Sequence, residues 1–288
     1  FNGNCSGGRR SSSNNPSIGN QVRINPSMVP MSEGFGLEGL FYKNSVDVSL
    51  VRGTGRIGAA ISGSNSEETF FGPPGFELDL EYRYRKQEAQ KLPNQKINLS
   101  TAVNVFNKSG SGLDSASLNL GLMAKYNKLT SAVNLGAGLS AVWGPLSVGG
   151  SIYNDETRLE KSSFYPAYVD ETTLKCQVQT YNVGLLLSTL ILDYSYLKLT
   201  SDQLQSPYEV NLLSASLIIK KFIFTAAKRT EKSDRPYYNF ETKLLETQQI
   251  KDDYFGGVQF RMTKNLMVGV YYNYYLLHDA SFAGTLFF

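Results

Sequence analysis

The chain is poor in the residues on which most enzymes, metal sites and nucleic-acid surfaces rely. Among its 288 residues are one histidine, one tryptophan and two cysteines. Two cysteines cannot supply a metal site or a disulfide framework, and no cofactor or metal is expected. Cys5 and Cys176 leave two readings open: one bridge pinning the N-terminal segment to a distant loop in an oxidising compartment, or two free thiols. Charged residues make up 18%, below the usual quarter for soluble domains, and the net charge of +3 is scattered. A nucleic-acid surface therefore has nothing to rest on. No run approaches the roughly 18 to 20 apolar residues of a membrane helix; the most apolar window, LLLSTLIL at 185–192, is far too short. The first residues, FNGNCSGGRRSSSNNPS, lack the order of a secretion signal, so either none existed or the chain is a mature form.

What is abundant is glycine, with 26 residues, tyrosine with 18 and phenylalanine with 16. Residues 1–34 are polar and without period, an arm rather than a core element, and 35–288 alternate with the period of two that marks strands. Ile97, Leu99, Thr101, Val103 and Val105 oppose Asn98, Ser100, Ala102 and Asn104; Leu118, Leu120, Leu122 and Tyr126 oppose Asn119, Gly121, Met123 and Lys125; Val133, Leu135, Leu139 and Trp143 oppose Asn134, Gly136, Gly138 and Ser140. Further strands are expected near 146–155, 177–188, 190–200, 208–219, 221–230, 252–263, 266–277 and 280–288, with no helix. The parity slips within 208–219, which calls for a bulge. VDVSLVRGTGRIGAAIS forms a hairpin about GTG, and the count is about 14 strands, or about 12 without that hairpin. GLEGLFYK at 36–43 is a further strand or part of the arm, and an even total argues against counting it separately.

FELDLEYRYR at 76–85 states the choice of solvent most sharply. Phe76, Leu78, Leu80, Tyr82 and Tyr84 share one face of a strand; Glu77, Asp79, Glu81, Arg83 and Arg85 share the other. A soluble barrel or sandwich would turn the charges to water. Three features favour lipid outside instead. Aromatics such as Tyr126, Trp143, Tyr194 and Tyr196 end the apolar rows. The opposing rows carry glycine, serine and asparagine rather than the lysine and glutamate of a soluble surface. Tight breaks at 144–145, 188–189, 220–221 and 263–265 alternate with long polar ones at 156–175 and 231–250, as short periplasmic turns alternate with extracellular loops. The fold class expected is an all-β antiparallel transmembrane barrel.

The terminal DASFAGTLFF, alternating to Phe288, resembles the C-terminal signal of bacterial outer-membrane barrels, which implies recognition by their assembly machinery and an outer-membrane location. Asn25-Pro26-Ser27, in an arm before a strand, resembles the hatch of the FadL-like transporters of hydrophobic compounds, where an Asn-Pro-Ala motif holds a similar place. That resemblance implies a 14-stranded barrel with a plugged lumen and a small hydrophobic ligand; Ser27 departs from the motif.

The barrel is expected to be no enzyme. His278 sits beside Asp279 in YYLLHDASF, with no nucleophile to place near it, and the plain reading is a loop histidine. Function is assigned to the lumen. Glu77, Asp79, Glu81, Arg83 and Arg85, with Arg56, Lys125, Asp193, Arg229 and Arg261 as partners by parity, form a candidate charge network that either holds a plug or sets selectivity. Arg9 and Arg10 of GGRR are candidate plug contacts. TFFGPPGF at 69–76 is a rigid interfacial turn or a lid, and Leu186 adds an apolar residue to the lumen row. These features suit transport of small hydrophobic compounds or a narrow, partly plugged channel in outer-membrane lipid. The alternative is a closed structural or interaction barrel whose loops do the work.

Overall fold

A computed structural model describes residues 22–29, 31, 33–42, 45–64, 96–108, 115–128, 130–159, 172–202, 207–233, 237–239, 244–246, 249–273 and 280–288. The strands in chain order begin with β1 (Gly34–Tyr42), β2 (Ser45–Gly53), β3 (Ile57–Ser64), β4 (Lys96–Lys108) and β5 (Ala116–Asn127). Next come β6 (Ala132–Trp143), β7 (Leu146–Leu159), β8 (Thr172–Leu187), β9 (Leu190–Thr200), β10 (Tyr208–Ile219) and β11 (Phe222–Ser233). A small hairpin, β12 (Tyr237–Asn239) and β13 (Leu244–Glu246), precedes β14 (Gln249–Arg261), β15 (Leu266–Asn273) and β16 (Ala280–Phe287). All but the small hairpin form one closed antiparallel barrel of 14 strands.

The ring closes between β1 and β16, in register from Gly36 opposite Phe287 to Tyr42 opposite Ser281. Residues 34–42, which take in nearly all of the stretch that an even count sets aside, thus supply the fourteenth strand. The strand expected at 76–85 lies outside the described residues, and β3 pairs directly with β4, Ile57 opposite Val103. The total of 14 is reached with a different member. A barrel must close because lipid offers no partner to the free N–H and C=O groups of an edge.

One end carries the tight connections at 54–56, 144–145, 188–189, 220–221 and 262–265, together with Gly34 and Phe288. Gly144, Ser188 and Lys220 take positive φ at the two-residue turns, as hairpin twist requires. The opposite end carries the connections 65–95, 160–171 and 234–248. Short connections at 43–44 and 128–131 also lie at the second end; on the three long connections, the usual asymmetry of an outer-membrane barrel assigns the first end as periplasmic and the second as extracellular.

The outer face is apolar: Leu122 is 65% exposed, Leu135 66% and Trp143 66%. Opposite them Asn98, Ser100, Lys125 and Ser140 are buried. The wall is not of even height. β8 has 16 residues and β7 has 14, against 9, 9 and 8 for β1, β2 and β3. About 9 to 11 residues suffice to cross a bilayer, so β8 extends beyond it.

On that tall side the polarity of the strands reverses part-way up. Val183, Leu185 and Leu187 of β8 face outward near the periplasmic end, then Tyr181, then Gln179, Gln177 and Lys175. The inner row of β8 runs the other way, with Asn182 and Thr180 below and Val178 and Cys176 above. β9 repeats the pattern: Leu192, Tyr194, Tyr196 and Lys198 outside, against Asp193, Ser195, Leu197 and Leu199 inside. The outer polar groups bond to one another, Tyr194 Oη to Asn211 at 2.6 Å and Tyr196 Oη to Glu209 at 2.8 Å. Tyrosine marks the interface, where a ring meets lipid and a hydroxyl meets water. Above it the outside is aqueous and the inside becomes the apolar side.

This reversal explains the parity slip in β10. Val210 faces inward above the girdle and Leu212 at its level, while Leu213 faces outward at its level and Leu217 below it. No bulge is present: β10 runs in unbroken register against both β9 and β11. The shift that does occur is in β4, between Asn104 and Phe106.

Leu122→Arg is expected to lower stability by about 2 to 4 kcal/mol, the cost of a cation on the lipid face near mid-membrane. Gln177→Arg, above the girdle on the same outer surface, is expected to change it by less than about 0.5 kcal/mol. Reversible denaturant unfolding in lipid vesicles measures both.

Candidate functional site: the barrel interior

The segment 22–29 runs inside the ring and is built onto it residue by residue. Asn25 caps a 3-10 turn over Pro26–Met28, its Oδ1 accepting from the Ser27 amide at 3.1 Å and from the Ser27 hydroxyl at 2.7 Å. Proline at the first helical position needs no amide donor there, so Asn-Pro-Ser is a self-contained turn. The other Asn25 group, Nδ2, donates to the Leu139 carbonyl at 3.3 Å.

Inner-wall hydroxyls take up the segment's backbone. Ser100 donates to the Val22 carbonyl at 2.8 Å, Ser151 to the Ile24 carbonyl at 2.5 Å and Ser140 to the Ser27 carbonyl at 3.4 Å. Buried carbonyls in an irregular segment need such donors, and serine supplies one without filling the space. Glycine makes the remaining room. A Cβ on Gly121 would collide with the backbone of Pro26 and Ser27, and one on Gly138 with Asn25. Val22 and Val29 pack on Val51, Ala60 and Ala102, another set of small residues facing in.

Two buried ionic clusters lie in the extracellular half of the interior. Arg23 of the segment reaches β2 and β3, with Nη1 3.2 Å from Asp47 Oδ2, Nε donating to Ser62 at 3.2 Å and Nη2 to the Gly63 carbonyl at 3.2 Å. Across the interior, Asp155 holds two lysines, Lys96 at 2.8 Å and Lys125 at 3.7 Å. The Lys125 ammonium also stands 3.9 Å from the centroid of the Tyr153 ring, a cation–π contact. Such buried pairs are costly to break from one side, by about 3 to 5 kcal/mol.

The inner wall of β8 to β10 differs from the rest. Its upper part is a core of Val178, Leu197, Leu199, Val210 and Leu212, extended by Met123 and Tyr153, with Ile24 of the segment packed against it. Below lie Asn182, Asp193, Ser195 and Ser214, all buried.

The residues expected to form a charge network are divided by the structure. Lys125, Asp193 and Arg229 are buried and face inward. Arg56, in the 54–56 connection, and Arg261, at the end of β14, have inward parity but stand exposed at the periplasmic rim and join neither buried cluster. Glu77, Asp79, Glu81, Arg83, Arg85, Arg9, Arg10, Cys5, His278 and the TFFGPPGF stretch lie outside the described residues. Cys176 is a buried thiol that donates to the Asp155 carbonyl at 3.4 Å. Leu186, expected in the lumen row, is half-buried near the periplasmic end.

Asp47, Lys96 and Asp155 were not singled out by sequence reasoning. Lys96 is the first residue of β4, and Asp155 lies four residues inside the end of β7, where parity places it inward without naming a partner. The serine and glycine rows were visible as a polar inner face, yet nothing local tied them to residues 22–29.

No protein-family model matches the chain, and no curated protein is significantly similar to it in sequence. Among solved structures, a loop L8 deletion mutant of OmpT, an outer membrane protein of Vibrio cholerae, aligns at 10% identity and TM-score 0.40, over 88% of this chain and 97% of that one. The NanC porin aligns at 8% identity and TM-score 0.40, over 88% and 99%. Omp33 of Acinetobacter baumannii aligns at 6% identity and TM-score 0.45, over 89% and 97%. Likeness at this level says nothing of substrate or activity.

Gly121→Val and Gly138→Val leave the outer rows untouched while removing the space for residues 25–27. Both variants are expected to form barrels whose segment 22–29 becomes open to protease, with a melting temperature several degrees below the parent. Limited proteolysis of the folded protein, followed by mass analysis of the fragments, reads the effect.

Proposed function

We propose that the protein is an outer-membrane transport barrel for small hydrophobic compounds, with the segment 22–29 acting as a plug that shifts during passage. The observation that carries this reading is the inward apolar core of Val178, Leu197, Leu199, Val210 and Leu212, against which Ile24 of the segment packs. A pore for ions and sugars lines itself with polar groups throughout. An apolar stretch below the extracellular mouth instead offers a dry surface to an apolar solute, at roughly 25 cal/mol for each Å² removed from water. The interior position of Asn25-Pro26-Ser27 agrees with the FadL-like resemblance.

The second reading, a closed barrel that works through its loops, is favoured by the paired Arg23 and Asp47 and by the two lysines on Asp155, which tie the interior together. Proteoliposome uptake separates the two. The transport reading expects the full chain to admit an uncharged hydrophobic probe while excluding sugars of the same mass, and to carry little current in planar bilayers. Leu197→Asn, checked for folding by heat-dependent gel migration, is expected to slow hydrophobic uptake about tenfold, in line with the loss of about 1.4 kcal/mol of apolar contact. Uptake no faster than in empty liposomes would support the closed barrel, and stable unitary currents would exclude it.

A further inference from the structure

Beneath the apolar core, the inner wall of β8 to β10 carries four polar side chains whose burial is nearly complete. Relative exposure is 7% for Asn182, 7% for Asp193, 1% for Ser195 and 4% for Ser214. They are neighbours by register: Asn182 lies opposite Ser195, and Asp193 lies opposite Ser214. Asp193 and Ser195 are two apart on β9 and share its inner face. Directly opposed side chains on a sheet stand about 5 Å apart, and successive rows on one face about 7 Å apart, so the four form one compact patch.

Each has an atom with no hydrogen-bond partner among the described residues: Asn182 Nδ2, Asp193 Oδ1, Ser195 Oγ and Ser214 Oγ. On β4, β6 and β7 the inner wall gives hydroxyls to the segment. Ser100, Ser140 and Ser151 each donate to its backbone. Among the described residues the patch on β8 to β10 is not used in this way, although leaving a buried polar group unmade costs about 1 to 3 kcal/mol. Next above it on the same face come Leu197 and Leu212. A polar floor under an apolar wall is the complement of an amphiphile.

We propose that this wall, once the segment 22–29 shifts off it, binds an amphipathic compound with an ammonium head, the head on the patch and the apolar body along Leu197 and Leu212. An ammonium offers three N–H donors, and Asp193 Oδ1, Ser195 Oγ and Ser214 Oγ are three acceptors on two adjacent strands. Asn182, whose unpartnered Nδ2 is a donor, borders the patch from β8 without contributing an acceptor to the head. Of the buried charged side chains among the described residues, Arg229 lies opposite Leu212 on β11 and has interactions of its own, and Asp155 lies opposite Cys176 on β8, where it holds Lys96 and Lys125. The proposal rests on the transport reading and names the chemistry of its cargo.

Titration calorimetry of the folded full chain in a nonionic detergent, with micelle-only blanks, tests it using heptylamine, heptanol and heptanoate at pH 7. The three share one apolar body and differ in the head. Heptylamine is expected to bind at least ten times more tightly than heptanol, with heptanoate weakest. Asp193→Asn, which keeps the side chain's size, is expected to bring heptylamine down to the level of heptanol while leaving heptanol within twofold. Ser214→Ala gives an independent check should Asp193→Asn fold poorly, with an expected loss of threefold or more for heptylamine alone. Equal affinity for amine and alcohol, tighter binding of heptanoate, or indifference to these substitutions would overturn the ammonium site and leave hydrophobic transport standing. Binding of none of the three would overturn both.

Discussion

Lipid offers no hydrogen bond to a peptide group, and from that constraint the architecture follows. A strand crossing the bilayer must be paired on both sides, so the sheet has to return to its first strand. Here the return is made by β16 against β1, with the backbones of Phe35 and Phe288 joined in both directions, at 3.2 and 2.9 Å. Once the ring is closed, every strand has an inside and an outside, and alternation of side chains becomes a division between two solvents. The interior is then a limited volume, which whatever lies in it must share with the inner rows.

How that volume is shared explains the glycines and serines of the inner face. In a strand glycine ordinarily weakens the sheet, and it is retained where another backbone comes close. Gly121 and Gly138 stand where Asn25, Pro26 and Ser27 pass. Serine at 100, 140 and 151 provides donors to a segment that has no ladder of its own. The same logic sets Arg23 against Asp47: a guanidinium inside a barrel needs a carboxylate and acceptors fixed in place, and β2 and β3 supply them together.

Soluble and membrane patterns are commonly treated as rivals for an alternating strand, yet β8, β9 and β10 carry one above the other. The hydrophobic effect has no preferred direction of its own; it follows whichever side is drier. Below Tyr181 and Tyr194 lipid is outside, so Val183 and Leu192 face out; above them water is outside, and Val178, Leu197 and Val210 face in. The strand outlasts the bilayer and its code reverses where it leaves. A reading with one rule per strand met this in 208–219 as a slip and supplied a bulge that the continuous register does not contain.

Sequence alone determined the class of fold, the lipid-facing rows, the tight turns and the polar inner rows, because a period of two and a two-residue turn are local properties that a short window displays. The count of 14 was also within reach, but its membership was not: 36–43 and 76–85 both alternate, and which one completes the ring depends on pairing with β16, some 240 residues away. Lys125, Asp193 and Arg229 could be placed inside by parity, whereas their partners could not, since parity gives a face and not a neighbour. Tertiary structure decided that Asn25-Pro26-Ser27 lies against Gly121 and Gly138, that Lys96 and Lys125 meet on Asp155, and that apolar and polar inner rows stack on β8 to β10. Each is a contact between segments far apart in the chain, brought together by closure of the sheet, and no local pattern encodes the distance across a barrel.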